Sequence, residues 1–181
     1  MGLYTYEDNS VLRNVVHWMV DVIVIIALAW FLVYGFLGQT IISGHSMAPG
    51  LEAEDLCLIN RIAYDVGSPK RYDVVVFERE DTKQQNVKRV IGLPGDTVQI
   101  VSGSVYVNNR KLEDAHIGTV SLPGIAENPV ELQQDEYFLL GDNADSSEDS
   151  RFPNIGNVRR EKIKGKVWFR LRPLSSLGFI S

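Results

Sequence analysis

The stretch VIVIIALAWFLVYGFLGQTII, residues Val22 to Ile42, contains 21 consecutive uncharged residues, most of them branched aliphatic or aromatic. A helix rises about 1.5 Å per residue, so this stretch spans roughly 30 Å, the thickness of a bilayer's hydrocarbon core. It therefore predicts a transmembrane helix over residues 21–42. This helix divides the chain into a short N-terminal segment, residues 1–20, and a C-terminal domain, residues 43–181.

The residues around this stretch favour a retained anchor over a cleaved leader. A signal peptide has a basic front end and an apolar centre of about 7 to 15 residues, whereas residues 1–21 mix acidic and basic side chains. A removed leader and a buried core helix are the alternatives. Arg13 and the amino terminus are the cations before the span, and Arg61 is the first cation after it. The positive-inside rule then favours a cytoplasmic N-terminus.

The bulk composition limits the possible partners. The chain has 181 residues, enough for one soluble domain beside the span, and its formal net charge is -5. Nucleic acid is not an expected partner, because nucleic-acid binding normally needs a basic face. Cys57 is the single cysteine, which excludes an intrachain disulfide and a cysteine metal cluster.

After residue 42 the sequence changes to short apolar runs rich in β-branched and aromatic residues, separated by turns that contain Gly, Pro and Asn. Seven runs are predicted as strands: residues 56–60, 73–77, 87–93, 96–101, 104–109, 136–140 and 166–171. Residues 114–131, interrupted by glycines and prolines, predict an exposed insertion. The domain is therefore predicted to be mainly β.

Ser46, in the stretch GHSMAP, is a candidate nucleophile, and a serine hydroxyl needs a base to accept its proton. Histidine is the usual base. His17 precedes the span, and His45 points away from Ser46 if the chain is extended there. His116 lies in the irregular segment with no orienting acid nearby. A Ser-His-Asp triad is therefore poorly supported.

Lys88, in NVKRVIGLPGD, is the other candidate base. Its neighbours Val87 and Val90 are apolar, and burial of an amine disfavours the ammonium form and lowers its pKa toward the range of a general base. Arg89 cannot serve, because a guanidinium stays protonated. Periodicity alone favours the alternative that Lys88 is an ordinary edge-strand lysine.

The stretch GDNADSSEDSR, residues 141–151, is a dense acidic and hydroxyl loop. An EF-hand would need an oxygen ligand at its third position and glycine at its sixth, which Ala144 and Ser147 occupy. No metal site and no cofactor are therefore predicted.

Three stretches, GHSMAP, KRVIGLPGD from Lys88, and GDNADSSEDSR, follow a predicted membrane anchor in this order. Each is weak alone, but together they extend over more than half the chain and resemble the three signature boxes of bacterial type I signal peptidases. The resemblance implies a signal-peptidase-like β-rich catalytic domain preceded by one transmembrane helix. It also implies a Ser-Lys endopeptidase that removes signal peptides from exported preproteins.

By this resemblance Ser46 is the nucleophile, its backbone N–H helps to form the oxyanion hole, and Lys88 is the general base. Gly44 lies where some relatives have a hydroxyl that a glycine cannot supply. Ser147 matches a serine that orients the lysine.

The same resemblance assigns the acidic loop to shaping the site. Asp149 and Arg151 match a pair that shapes it, with a purely structural ion pair as the equal alternative. Asp142 and Asn143 are expected to hold the loop.

This chain also departs from the family pattern at three positions. Gly50 replaces the usual Thr or Ser after the proline of the first box, and Glu54 and Tyr72 replace common glycines. These departures leave the geometry of the first loop open. Lysine rather than histidine at position 88 indicates a bacterial relative.

The resemblance further implies a single-pass protein of the cell membrane whose catalytic domain lies on the extracytoplasmic side. Exported preproteins and the lipid bilayer are the expected partners, with the secretion translocon close by. Substrate is expected to lie extended along a strand edge with its small side chains in shallow pockets. Met47 and its neighbours are expected to touch lipid or substrate, or equally to pack in the core. The alternatives are a specialised peptidase for pilin-like or matrix substrates, a self-cleaving repressor-type protease, and a silent membrane-tethered binding module.

Overall fold

The computed structural model describes residues 10–113 and 116–180. The chain forms two compact units, residues 1–37 and 38–181. The first unit contains helix α1, Ser10–Phe36. Its segment Val11–Phe31 is long and apolar enough to cross a membrane, and none of it is buried within the protein. The prediction of one N-terminal apolar helix is confirmed.

The bounds of this helix differ from the predicted 21–42. The helix already includes residues 10–20, and residues 1–9 lie outside the described part of the chain. At its other end the helix stops at Phe36, six residues before the predicted end. The last residues of the uncharged stretch, from Gly38 onward, belong to the second unit instead. Leu37–Ile41 is a strand, and Ile42 is buried in a core cluster. The second unit therefore begins at Gly38, not at residue 43.

The second unit consists of two sheets. Its strands are β1 Leu37–Ile41, β2 Leu56–Asn60, β3 Val74–Glu78, β4 Gln85–Gly92, β5 Thr97–Val101, β6 Ser104–Val107, β7 Arg110–Lys111, β8 Val130–Glu131, β9 Glu136–Leu140, β10 Val158–Arg159, β11 Ile163–Arg172 and β12 Gly178–Phe179. The larger sheet has the order β1-β2-β11-β3-β4-β9-β10, with β12 also paired to β11, and the smaller has the order β7-β6-β5-β8. The short helix α2, Ala63–Val66, follows β2. The mainly β prediction is confirmed.

Six of the seven predicted strands start and end within two residues of the observed ones, and the seventh, β11, begins three residues earlier than predicted. The expected exposed insertion is only partly correct: most of residues 116–131 are exposed or half-buried, and residues 114 and 115 lie outside the described part of the chain. Val120 and Ala126 are buried in the core of the smaller sheet, and β8 pairs with β5. The pattern was misleading because the buried residues are few and stand between glycines and prolines.

The loop between β1 and β2 carries Ser46 and is anchored in the core on both sides. Ile42, Met47 and Leu51 are buried together with Cys57 of β2. Complete burial of a side chain of this size contributes about 1.5–3 kcal/mol, so the loop is fixed by packing. Of the alternatives for Met47, the structure supports core packing.

Two of the departures from the family pattern have a structural explanation. Glu54 has a φ of 69° and Tyr72 a φ of 74°, in the left-handed region that favours glycine. A glycine at either position adopts this backbone without strain. The chain keeps the loop geometry despite the substitutions.

Candidate active site

The structure brings the two predicted catalytic side chains together. Ser46 lies in the β1–β2 loop, and Lys88 lies in β4, where it pairs with Val75 of β3. The Nζ atom of Lys88 is 2.8 Å from the Oγ atom of Ser46, at hydrogen-bond distance. The serine therefore has an amine, rather than an imidazole, in position to receive its proton, whereas the side chain of the adjacent His45 is exposed.

Lys88 is only 4% exposed, and its surroundings favour the neutral amine. Burial lowers the pKa of Lys88 from 10.5 to about 8, while the nearby carboxylate of Asp149 acts in the opposite direction. About half of the amine is therefore neutral at pH 8. This pKa suits a general base in mildly alkaline solution.

Asp142 is paired with Arg89, the neighbour of Lys88. The guanidinium donates two hydrogen bonds to the carboxylate, of 2.8 and 2.7 Å, and both side chains are almost completely buried. Arg89 also donates to the carbonyl of Tyr72. A side chain on the Cα of Gly50 would lie 2.7 Å from the Asp142 carboxylate, so glycine fits this position closely.

Asp149 and Arg151 form a second buried ion pair, with exposures of 0% and 1%. Arg151 also donates to the backbone carbonyls of Leu122, Ala144 and Ser147. These hydrogen bonds and the Asp149 carboxylate replace the water that the buried guanidinium has lost. This pair fixes the path of residues 141–151 and places a carboxylate near Lys88.

Ser147 is buried, and its hydroxyl donates to Asp149 at 2.7 Å. Among the described residues it forms no hydrogen bond with Lys88, so the orienting role implied by the resemblance stays a prediction. In this structure Ser147 orients the carboxylate of Asp149, which acts on the amine electrostatically.

Asn143, which was expected to hold the loop, and Gly141, to which no role was assigned from the sequence, hold the acidic loop against Ser46. The backbone N–H of Asn143 donates to the carbonyl oxygen of Ser46 at 3.0 Å. A Cβ atom on Gly141 would lie 2.4 Å from that same oxygen, so the close approach requires glycine. The sequence GDN, residues 141–143, indicated that this part of the loop belongs to the site, but its contact with Ser46 could be found only from the fold.

Gly44 precedes Ser46 by two residues and has a φ of +77°, and nothing lies within 4 Å of where its Cβ would be. It supplies a left-handed turn and no hydroxyl. Within the described residues, the backbone N–H of Ser46 donates no hydrogen bond, so it is free to bind an oxyanion.

A small cavity of about 30 Å³ opens beside the dyad. It is lined by residues 40–43, residues 85–88, Ser46 and Met47. Its volume corresponds to about one water molecule or one methyl group. The cavity therefore suits small side chains.

Comparison with known proteins shows the family of this chain. The family model described as signal peptidase, peptidase S26, matches residues 15–172. The chain belongs to this family. This confirms the predicted resemblance and identifies the protein as a serine peptidase of the signal peptidase type. The family supports signal-peptide cleavage, and with helix α1 it indicates a membrane-anchored protein.

Individual relatives carry the same description. A probable signal peptidase I-2 of Synechocystis sp. is 37% identical over 146 residues, which are 77% of this chain and 65% of that protein. The chain thus spans just under two thirds of that relative's length. A signal peptidase I of Bacillus caldolyticus is 34% identical over 174 residues, 90% of this chain and 92% of that one. A crystal structure of a signal peptidase I from Enterococcus faecalis V583 is 26% identical, covering 56% of this chain and 98% of its own, with a TM-score of 0.47.

Proposed function

We propose that this protein cleaves signal peptides from exported preproteins with Ser46 as the nucleophile and Lys88 as the general base. The observation that carries the proposal is the 2.8 Å contact between a buried amine and the serine hydroxyl. A silent binding module has no use for a lysine whose charge is made unfavourable by burial. The geometry thus favours catalysis.

The chemistry proceeds in two stages. Neutral Lys88 accepts the proton of Ser46 while Oγ attacks the carbonyl carbon of the scissile peptide bond. The resulting ammonium then donates its proton to the leaving amine, which releases the mature protein and leaves the signal peptide as an ester on Ser46. A water molecule, deprotonated by Lys88, hydrolyses this ester and restores the serine.

The oxyanion formed in each stage needs hydrogen-bond donors. The backbone N–H of Ser46 is one donor at the reacting carbon. Because Gly44 offers no hydroxyl, this site relies on backbone donors, and each such donor typically accounts for about 10²–10³ in kcat.

The substrate lies extended between residues 40–43 and 85–88. β4 pairs with β9 only from Arg89 onward, and within the described part of the chain no strand pairs with residues 85–88 on that side. An extended peptide can therefore form main-chain hydrogen bonds with this edge. The cavity of about 30 Å³ between the two segments limits the adjacent substrate side chain to a small one.

Membrane anchoring places the dyad near its substrate. Ser46 follows the end of α1 by ten residues, so a helix that spans the bilayer keeps the nucleophile near the membrane surface. A signal peptide also buries its apolar segment in lipid, and the scissile bond emerges close to the surface. Because enzyme and preprotein are anchored in the same membrane, the effective concentration of the scissile bond near the dyad is raised.

The distribution of Arg13 and Arg61 supports a cytoplasmic N-terminus. The catalytic domain then lies on the outer face of the cell membrane, close to the translocon.

Cleavage of a purified preprotein by the full-length, detergent-solubilised chain tests the assignment. Ser46→Ala and Lys88→Met are expected to abolish cleavage without unfolding the domain. Lys83→Met, which removes an exposed lysine from the neighbouring turn, is expected to leave cleavage unchanged. Cleavage retained by either dyad variant would remove that residue from the mechanism.

A further inference from the structure

Arg79 connects two parts of the active site that are distant in sequence. It follows the last residue of β3 and begins the turn that leads to β4. Its Nε and Nη2 atoms donate to the carboxylate of Asp81 at 2.9 and 2.6 Å, and its Nη1 atom donates to Glu148 at 2.5 Å. Glu148 lies between Ser147 and Asp149 in the acidic loop.

The turn that carries Arg79 is itself well held. The backbone N–H of Arg79 donates to the carbonyl of Gln84, and that of Lys83 donates to the carbonyl of Arg79. Asp81 also accepts a hydrogen bond from the N–H of Thr82. The Arg79 side chain is only 10% exposed. The guanidinium is thus fixed on the hairpin side of the contact with Glu148.

The contact between Arg79 and Glu148 matters because part of β4 has no pairing strand on the β9 side among the described residues. Residues 85–88 extend beyond the part of β4 that pairs with β9, and they carry Lys88 and one wall of the substrate cavity. Arg79 ties the end of the same hairpin to the acidic loop. Movement of the hairpin relative to that loop would change the position of Lys88 relative to its neighbouring charges.

The charges around Lys88 give the contact a second role. Three carboxylates act on the amine and favour its ammonium form: those of Asp149, Glu148 and Asp142. Each is paired with an arginine: Asp149 with Arg151, Glu148 with Arg79 and Asp142 with Arg89. The first and last pairs are buried and belong to the signature boxes. The Arg79–Glu148 pair, whose carboxylate is 60% exposed, completes the set.

We propose that Arg79 is a positioning residue of the Ser46–Lys88 dyad, which ties the β3–β4 hairpin to the acidic loop through Glu148. Its fixed positive charge also favours the neutral amine of Lys88. This inference rests on the proposed role of Lys88 as general base. Loss of Arg79 removes a cation that opposes protonation and leaves Glu148 without its partner. Both changes favour the ammonium form of Lys88.

Two measurements on the full-length chain test this inference. One is the pH dependence of kcat/KM for preprotein cleavage. The other is the titration of Lys88 by NMR with lysine labelled at Cε with ¹³C, the resonance being assigned by its loss in Lys88→Met. The variants are Arg79→Met, Arg79→Lys and Glu148→Gln, and Lys83→Met is the matched control. Lys83 lies in the same turn, its side chain is exposed, and among the described residues it forms no hydrogen bond or ion pair with the acidic loop.

Arg79→Met is expected to move the acidic limb of the rate profile and the Lys88 titration to higher pH by about 0.5 unit or more. Glu148→Gln is expected to move both to lower pH, and Lys83→Met to move neither. Arg79→Lys keeps the charge and hence the pH position. It is expected to lower kcat severalfold, because an ammonium cannot bridge Asp81 and Glu148 as the guanidinium fork does.

An unchanged Lys88 titration in Arg79→Met, or an equal shift in Lys83→Met, would overturn the role of Arg79. The proposed role of Arg79 and the proposed role of Lys88 as general base would be contradicted by different results. A titration that shifts while the rate profile stays in place would contradict Lys88 as the base and leave its coupling to Arg79 intact.

Discussion

Replacing Lys88 with methionine is expected to stabilise the folded domain while it abolishes activity. A group whose pKa falls from 10.5 to about 8 on folding makes folding less favourable wherever the unfolded state is protonated. Each pKa unit corresponds to 1.36 kcal/mol, so the cost in the wild type is about 3 kcal/mol below pH 8. Methionine has a similar length and no charge. It forgoes the hydrogen bond to Ser46, which contributes about 1 kcal/mol, so the net gain is about 2 kcal/mol.

The sign of the pH dependence distinguishes this cause from better packing. Between pH 8 and 10.5 the unfolded wild type binds more protons than the folded one, so its stability rises with pH in this window. The advantage of Lys88→Met is therefore full below pH 8 and is lost as pH rises toward 10.5. Between pH 6.5 and pH 10 about 2 to 3 kcal/mol of the difference disappears.

Urea denaturation of both proteins in detergent, followed by tryptophan fluorescence at several pH values, measures this difference. Lys83→Met controls for the loss of a lysine, and its effect on unfolding is expected to be small at every pH. A stability difference between Lys88→Met and wild type that does not change with pH would refute the reasoning, because packing alone does not titrate.

The kcat/KM for preprotein cleavage is expected to fall about tenfold per pH unit below pH 8 and to level off above it, as Lys88 must be neutral to accept a proton; a flat rate profile from pH 5 to 9 would count against this. Asp142→Ala is expected to lower the free energy of unfolding by about 3–5 kcal/mol, because it removes the carboxylate that neutralises the buried Arg89 guanidinium and accepts two of its hydrogen bonds; a loss below 1 kcal/mol in urea denaturation would be inconsistent with this ion pair. Glu54→Gly is expected to leave the domain about 1 kcal/mol more stable than Glu52→Gly, since only Glu54 has a positive φ, and equal stabilities would show that the strain is absent.

The local chemistry of the site was predictable from sequence because it depends on residue types that few other roles require. A serine in GHSMAP, a lysine in an apolar strand and a hydroxyl-rich acidic loop indicate the dyad and its surroundings, and the structure brings Ser46, Lys88 and that loop together. The strands were predictable because β-branched runs alternate with turn residues.

Two kinds of feature were not predictable. The C-terminal end of helix α1 was missed because an apolar residue such as Ile42 looks the same whether it faces lipid or a protein core. The partners of the charged residues were missed because they are far apart in sequence. Arg89 and Asp142 are separated by 53 positions and Arg79 and Glu148 by 69, and only the fold brings each pair together.

Direct titration of Lys88 by NMR in the full-length Ser46→Ala variant tests the central claim most directly. This variant keeps the amine buried and prevents turnover of substrate during the measurement. We predict a pKa of about 8. A pKa near the ordinary value of 10.5 would show a solvated ammonium, and Lys88 could then not serve as the base for Ser46.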